Sequence, residues 1–191
     1  MKFIITRHTS TDWNLEGRIQ GWTDNSISEQ GKREAVELAE RFRSLGINKI
    51  ICSDLKRSKE TATIIGDEIG VPVSIDARIK ECCFGEHEGL TREEAYKKFG
   101  NKVKELWNDA CKAYDFKPYG GESKTEVLER HKKAFKEIFK SHQPDYTVLI
   151  IGHGRGLATF LYAIGINKKI MRGEYRVLEH SEGKFDMKKF S

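Results

Sequence analysis

The chain has 191 residues, 38% of them hydrophobic and 33% charged, with a formal net charge of +5. That length suits one α/β domain spanning residues 1–191 with a sizeable core, and no apolar run approaches the ~18 residues of a membrane span. The cations alternate with acids and form no basic stripe with interleaved aromatics, so neither nucleic acid nor membrane is an expected partner, whereas an anionic small molecule is not opposed.

Met1-Lys2 leads straight into a core-like run, Phe3-Ile4-Ile5, so a first strand is expected there, with no leader peptide before it and a cytoplasmic location. Ser28 is placed to cap a helix over Glu29–Leu45, with Ala35, Leu38, Ala39, Phe42 and Leu45 on one face and Gly46 ending it. Lys49–Cys52 reads as a second strand, 56–69 as a second helix and Val71–Ile75 as a short third strand. Thr91–Ala113 reads as helical, rich in charge and broken at Gly100, and Pro118–Gly121 is the clearest punctuation. A long helix is expected over Ser123–Lys140, a buried central strand over Tyr146–Ile151, and another helix from near Gly156. The stretches 175–180 and 184–188 suit edge strands. Alternating strands and helices imply a three-layer α/β/α sandwich around a mostly parallel sheet, with residues 86–121 as an inserted helical flap. The four cysteines, at 52, 82, 83 and 111, show no CxxC spacing and suit reduced thiols.

Ligands of open α/β sheets bind at the carboxyl ends of strands. Arg7-His8 follows the first strand, Ser53–Arg57 the second and Gly152-His153-Gly154-Arg155 the central one. If these strands are neighbours, two histidines and two arginines share one cleft. Phosphoryl transfer needs that set: arginine forks for the oxygens, an imidazole to take the phosphoryl group, a second imidazole for an equatorial oxygen, and an acid for the leaving oxygen. Glu81, in IKECCFGEHEG, is the candidate acid, flanked by apolar Cys82, Cys83 and Phe84 that would help it keep a proton. Taken singly, each has a plain structural reading: a satisfied histidine, a helix-surface arginine, a solvated loop acid. Their conjunction is what points to chemistry. Gly154 frames His153 and lets backbone approach a ligand.

Three rivals use the same residues. A cysteine-phosphatase loop needs Cys-x5-Arg, but Cys52 and Arg57 are separated by four residues. A dinucleotide loop fails because Leu157 stands where the third glycine belongs. A metal held by His8, His153 and Glu81 has no HxH or HxxxH pair to support it.

In combination these segments resemble the histidine phosphatase superfamily, also called phosphoglycerate mutase-like. TRHTSTDWN looks like its Arg-His-Gly signature, GRIQGWTDNSISEQGKREA its Gly-Trp-x-Asp segment, CSDLKRSKETA the motif of the second arginine, and GGES and IGHGRGL its later landmarks. The resemblance implies His8 as a nucleophile that becomes phosphohistidine, Arg7, Arg57 and His153 as the phosphate pocket, Glu81 as proton donor, and Asn14, Gln20 and Gly21 on the substrate side. It also implies that no metal or other cofactor takes part. Two positions depart from the pattern. Thr9 stands for the family's glycine and keeps its backbone N–H, and Ser10 stands for the usual Glu and can donate to phosphate. A mutase needs cations beyond the phosphate pocket. In the flap Arg92, Lys97, Lys98, Lys102 and Lys104 are expected to face solvent, leaving Lys112 and Lys117 to close over the cleft. Hence the expectation is a phosphatase of small phosphorylated metabolites; a cofactor-dependent mutase and a catalytically decayed binding module are the alternatives. A homo-oligomer is possible.

Overall fold

The computed structural model describes residues 1–108, 110, 112–181 and 184–188, with the residues from 180 onward as backbone alone. Cys111, and part of the helix expected to reach Ala113, lie outside the described residues. Strands β1 (Lys2–Arg7), β2 (Lys49–Cys52), β3 (Val73–Ile75), β4 (Thr147–Gly152), β5 (Tyr175–Ser181) and β6 (Lys184–Lys188) form one sheet in the order β3-β2-β4-β1-β5-β6. The four on the β3 side run parallel, whereas β5 and β6 are antiparallel. The mostly parallel α/β sandwich is as expected, with β4 buried along its whole length.

Side-chain alternation along the central strands divides the core in two. Phe3, Ile5, Val148 and Ile150 pack with helices α5 (Lys124–Ser141) and α6 (Gly154–Ala163) through Phe135, Ile138, Leu157 and Phe160. Ile4, Ile50, Leu149 and Ile151 pack on the other face with α2 (Glu29–Phe42) and α3 (Lys56–Ile69) through Leu38, Phe42, Ala62 and Ile65. Truncating one such isoleucine to alanine costs about 2–5 kcal/mol. A third cluster, Ile19, Cys82, Phe84, Ala95, Trp107, Tyr114, Phe116 and Val127, lies under the flap.

Helix starts follow the capping residues. The Ser28 hydroxyl accepts the Gly31 N–H, and Ser123 with Glu126 forms a capping box on α5. Helix α2 ends at Phe42 rather than Leu45, because the Leu45 N–H turns back to the Phe42 carbonyl before Gly46, at φ +63°. A four-residue helix α1 (Asp12–Leu15), boxed by Thr11 and Asn14, was not expected. In the flap, α4 (Arg92–Phe99) stops at Gly100, whose φ of +84° suits glycine, and a 3-10 stretch, Asn101–Trp107, replaces the continuing helix. Helix α6 begins at Gly154, two residues before the expected start.

Candidate active site

Register puts the key histidines side by side. Arg7 pairs with Gly152 across β1 and β4, the His8 N–H donates to the Gly152 carbonyl at 3.0 Å, and the rings of His8 and His153 stand 5.2 Å apart. Helix α3, starting just beyond β2, brings Arg57 to the same place.

Arg57 is fully buried and, among the described residues, enters no ion pair. Its Nη2 donates to the Gly21 carbonyl at 2.6 Å and its Nη1 to the Thr23 carbonyl at 2.9 Å, while its Nε is buried without a partner. The Arg7 Nε is likewise buried and unpartnered. Its guanidinium rests on Gly154, where a Cβ would lie 2.9 Å from Nη2, so no other residue fits there without moving Arg7. Two buried guanidiniums with no carboxylate partner among the described residues make a site for an anion. Burial lowers the pKa of both.

Burial, then the nearby Arg57 and Arg7, holds the His8 imidazole well below the usual histidine range. The ring is therefore neutral at pH 7. Its Nδ1 lies 2.7 Å from the Thr9 carbonyl, which can only accept, so Nδ1 carries the hydrogen and Nε2 keeps its lone pair. Burial, then Arg57 and His8, also holds His153 far down. Its Nε2 meets the Ser53 hydroxyl at 2.6 Å, and its Nδ1 is buried without a partner.

Glu81 lines the same cleft, but not in the apolar surroundings its neighbours suggested. Its Oε1 accepts from the N–H groups of Cys82 (2.9 Å) and Gly156 (2.8 Å), and its Oε2 from that of Arg155 (3.2 Å). It thus serves the N-terminus of α6, which His153 leaves without a side-chain cap. Its own carbonyl takes the Trp22 indole N–H and Arg130 Nη2, each at 2.7 Å, and Arg130 also holds the carbonyls of Arg78 and Lys80.

The cleft encloses about 430 Å³ and is lined by Arg7, His8, Asn14, Gln20, Gly21, Arg57, Glu81 and Gly154 among others. Thr9 and Ser10 are not brought to it. The Thr9 N–H and hydroxyl go to Thr61, and the Ser10 N–H and hydroxyl are clamped by Glu34 at 2.8 and 2.7 Å. Serine here replaces a carboxylate and is met by one. The cations also differ from expectation. Arg92 is exposed as expected, yet it borders the open cleft together with Arg155, Lys169 and Arg172. Neither Lys112 nor Lys117 does, and Lys117 pairs with Glu126 at 3.4 Å. The sequence cues to this second group were Arg155, directly after Gly154 at the end of the central strand, and the cationic run from Lys168 to Arg172. Among the described residues no three His, Cys, Asp or Glu side chains are disposed to hold a metal ion.

This chain is 30% identical to a glucosyl-3-phosphoglycerate phosphatase of Mycolicibacterium vanbaalenii over 85% of its own length and 73% of the relative's. It is 33% identical to a probable phosphoglycerate mutase of Salmonella paratyphi A, over 86% and 74% respectively. Its fold superposes on a mycobacterial glucosyl-3-phosphoglycerate phosphatase solved with VO3 (TM-score 0.86, 25% identity, 99% and 98% covered). It likewise matches Bacillus stearothermophilus YhfR (TM-score 0.87, 28% identity, 97% and 94% covered). The family model of the histidine phosphatase superfamily, branch 1, matches residues 3–189. With this coverage, and with two histidines and two arginines gathered at the strand ends, the chain belongs to the histidine phosphatase superfamily.

Proposed function

We propose that this phosphatase hydrolyses a small phosphorylated metabolite by way of a phosphoryl group carried on His8, without a metal. One observation carries the reading: two buried arginines that, among the described residues, have no carboxylate partner flank two histidines held neutral by burial and by those same arginines. Such a site stabilises the three equatorial phosphoryl oxygens and offers a nucleophile needing no base.

In the first step His8 Nε2 attacks phosphorus in line. The N–P bond forms as the P–O ester bond breaks, and Glu81 gives its proton to the departing oxygen. Arg7 and Arg57 hold the phosphoryl oxygens. The Ser53 hydroxyl accepts the Leu55 N–H at 3.3 Å, and its own hydrogen serves His153 Nε2, leaving the His153 Nδ1 proton to face the phosphoryl group. In the second step the Glu81 carboxylate takes a proton from water, the water oxygen attacks phosphorus, the N–P bond breaks, and inorganic phosphate leaves.

Turnover of p-nitrophenyl phosphate in the presence of EDTA tests this reading. Activity that survives the chelator and is lost in His8→Ala supports it, whereas binding without turnover favours a phospho-ligand module. A mutase is the second reading, favoured by Arg92 of the flap and Arg155 of α6 in the cleft lining, where Lys112 and Lys117 were the flap cations expected. The relevant assay gives the enzyme 3-phosphoglycerate with 2,3-bisphosphoglycerate. Release of inorganic phosphate with slow or no formation of 2-phosphoglycerate is expected, and isomerisation at tens of turnovers per second, an ordinary kcat, would make it a mutase. The proposal also places the enzyme in the cytoplasm, supported by the free thiols of Cys52, Cys82 and Cys83.

A further inference from the structure

We propose that Glu34, which does not line the cleft, is a positioning residue for the nucleophile: it holds the Thr9–Ser10 peptide so that the Thr9 carbonyl sets the His8 imidazole with Nδ1 protonated and Nε2 free to attack. This rests on the reading of His8 as the nucleophile and adds the group that aligns it.

One peptide group joins the two side chains. Its carbonyl, that of Thr9, accepts from His8 Nδ1 at 2.7 Å, and its N–H, that of Ser10, donates to Glu34 Oε2 at 2.8 Å. A chain of hydrogen bonds therefore runs from a carboxylate through an amide to the imidazole. An amide whose N–H is drawn by a carboxylate carries more negative charge on its oxygen, so its carbonyl is a stronger acceptor. A stronger acceptor at Nδ1 holds the hydrogen there, fixes the ring and raises electron density at Nε2, the atom that must meet phosphorus. Across space the ring feels chiefly Arg57 and Arg7; Glu34 reaches it through this peptide.

The rest of the turn is anchored by other groups. The Thr9 N–H and hydroxyl go to Thr61 on α3, and the Ser10 carbonyl accepts the Ser28 N–H at 2.8 Å. That carbonyl also lies against Gly31, where a Cβ would come within 2.1 Å of it, so α2 approaches closely enough for Glu34, one turn further along, to reach Ser10. Glu34 grips this residue twice, since its Oε1 also accepts the Ser10 hydroxyl at 2.7 Å, and Gln30 donates to the same oxygen at 2.9 Å. Two charge-assisted bonds fix an orientation that one would leave free to tilt. A tilt of the Thr9 carbonyl turns the imidazole, and a small misplacement of the attacking atom costs much of the rate.

The test reads the ring and the rate separately. Steady-state kinetics with p-nitrophenyl phosphate are paired with 1H–15N spectra of protein labelled with 15N-histidine, in which the His8 Nδ1–H signal is the one missing from His8→Ala. In Glu34→Ala, kcat is expected to fall about 10- to 100-fold while KM stays within about threefold, and the Nδ1–H signal is expected to move upfield as its hydrogen bond weakens. Glu34→Gln can give its oxygen to the Ser10 N–H and its NH2 to the Ser10 hydroxyl, so it keeps the grip but not the charge. Its kcat and its Nδ1–H shift are both expected between those of wild type and Glu34→Ala. A signal unmoved in Glu34→Ala, whatever its kcat, would make Glu34 merely structural and overturn the proposal. So would a moved signal with kcat unchanged, or a loss confined to KM. If Glu34→Ala does not fold, Glu34→Gln decides, and a shift and kcat identical to wild type would overturn it. A wild-type protein that hydrolyses no ester would overturn the phosphatase reading alone, with the signal still deciding whether Glu34 sets the ring.

Discussion

Glu81→Gln removes a transferable proton while keeping the side chain's shape. The Gln oxygen can retain the N–H groups of Cys82 and Gly156, which lie 2.9 and 2.8 Å from Oε1. At the Oε2 position its NH2 would face the Arg155 N–H, now 3.2 Å away, donor against donor. One long backbone contact of three is lost, worth about 1 kcal/mol, so the fold should survive with a small fall in Tm. The chemical loss is larger and selective. An alkoxide leaving group needs the proton, so hydrolysis of an alkyl phosphate such as glycerol 3-phosphate should slow by about 10²–10⁴. Nitrophenolate departs without protonation, so p-nitrophenyl phosphate should be affected far less. The assay is kcat for both esters with both proteins, beside a thermal melt by circular dichroism. Equal losses for the two esters, in a variant whose Tm is nearly unchanged, would refute the role given to Glu81.

Ser53→Ala leaves His153 Nε2 buried without its 2.6 Å partner, so a stability loss of about 1–3 kcal/mol and a fall in kcat/KM of tenfold or more are expected; urea titration and steady-state kinetics check both, and normal kinetics would count against the proton assignment. Arg57→Lys replaces a fork that spans the Gly21 and Thr23 carbonyls with one ammonium, which cannot hold both and a phosphate as well; kcat/KM should fall by about 10² or more, the loss of two charge-assisted bonds, and a loss under threefold would contradict the site. Stability should also depend on pH in a defined direction. The folded pKa values of His8 and His153 lie well below the usual histidine value, and burial takes His131 down to about 3. An unfolded chain takes up protons on these groups near pH 6.5 while the native state does not, so stability should be level above about pH 7.5 and fall as the pH drops from there toward 5. Urea titrations across pH 5–8 that show no such fall would contradict the buried, neutral imidazoles.

What the sequence made legible was local. An apolar run ending in Arg7-His8, another ending in Gly152-His153, and helix caps at Ser28 and Ser123 are each written within a few residues, and register then brings the histidines together. Side-chain partners from distant segments were not legible. Ser10 reads as a free hydroxyl beside a phosphate site until α2 brings Glu34 against it. Glu81 reads as an acid among apolar neighbours until α6 turns its bare N–H groups toward it. Arg92 is exposed on a mixed-charge helix that gives no sign of bordering the cleft, and the box of aromatic rings around Arg155 is assembled from positions 84, 107, 114 and 116. The 3-10 segment after Gly100 was not legible, because the pattern of apolar residues there fits either helix.

The central claim is that phosphate passes through His8 Nε2. The most direct measurement is a rapid-quench experiment in alkaline denaturant with a 32P-labelled phosphomonoester, followed by mass spectrometry of the peptide carrying His8. Base-stable, acid-labile phosphate on His8 is predicted, forming and decaying at least as fast as kcat. An enzyme that turns over while His8 stays unlabelled, or that carries the label on another residue, would contradict it.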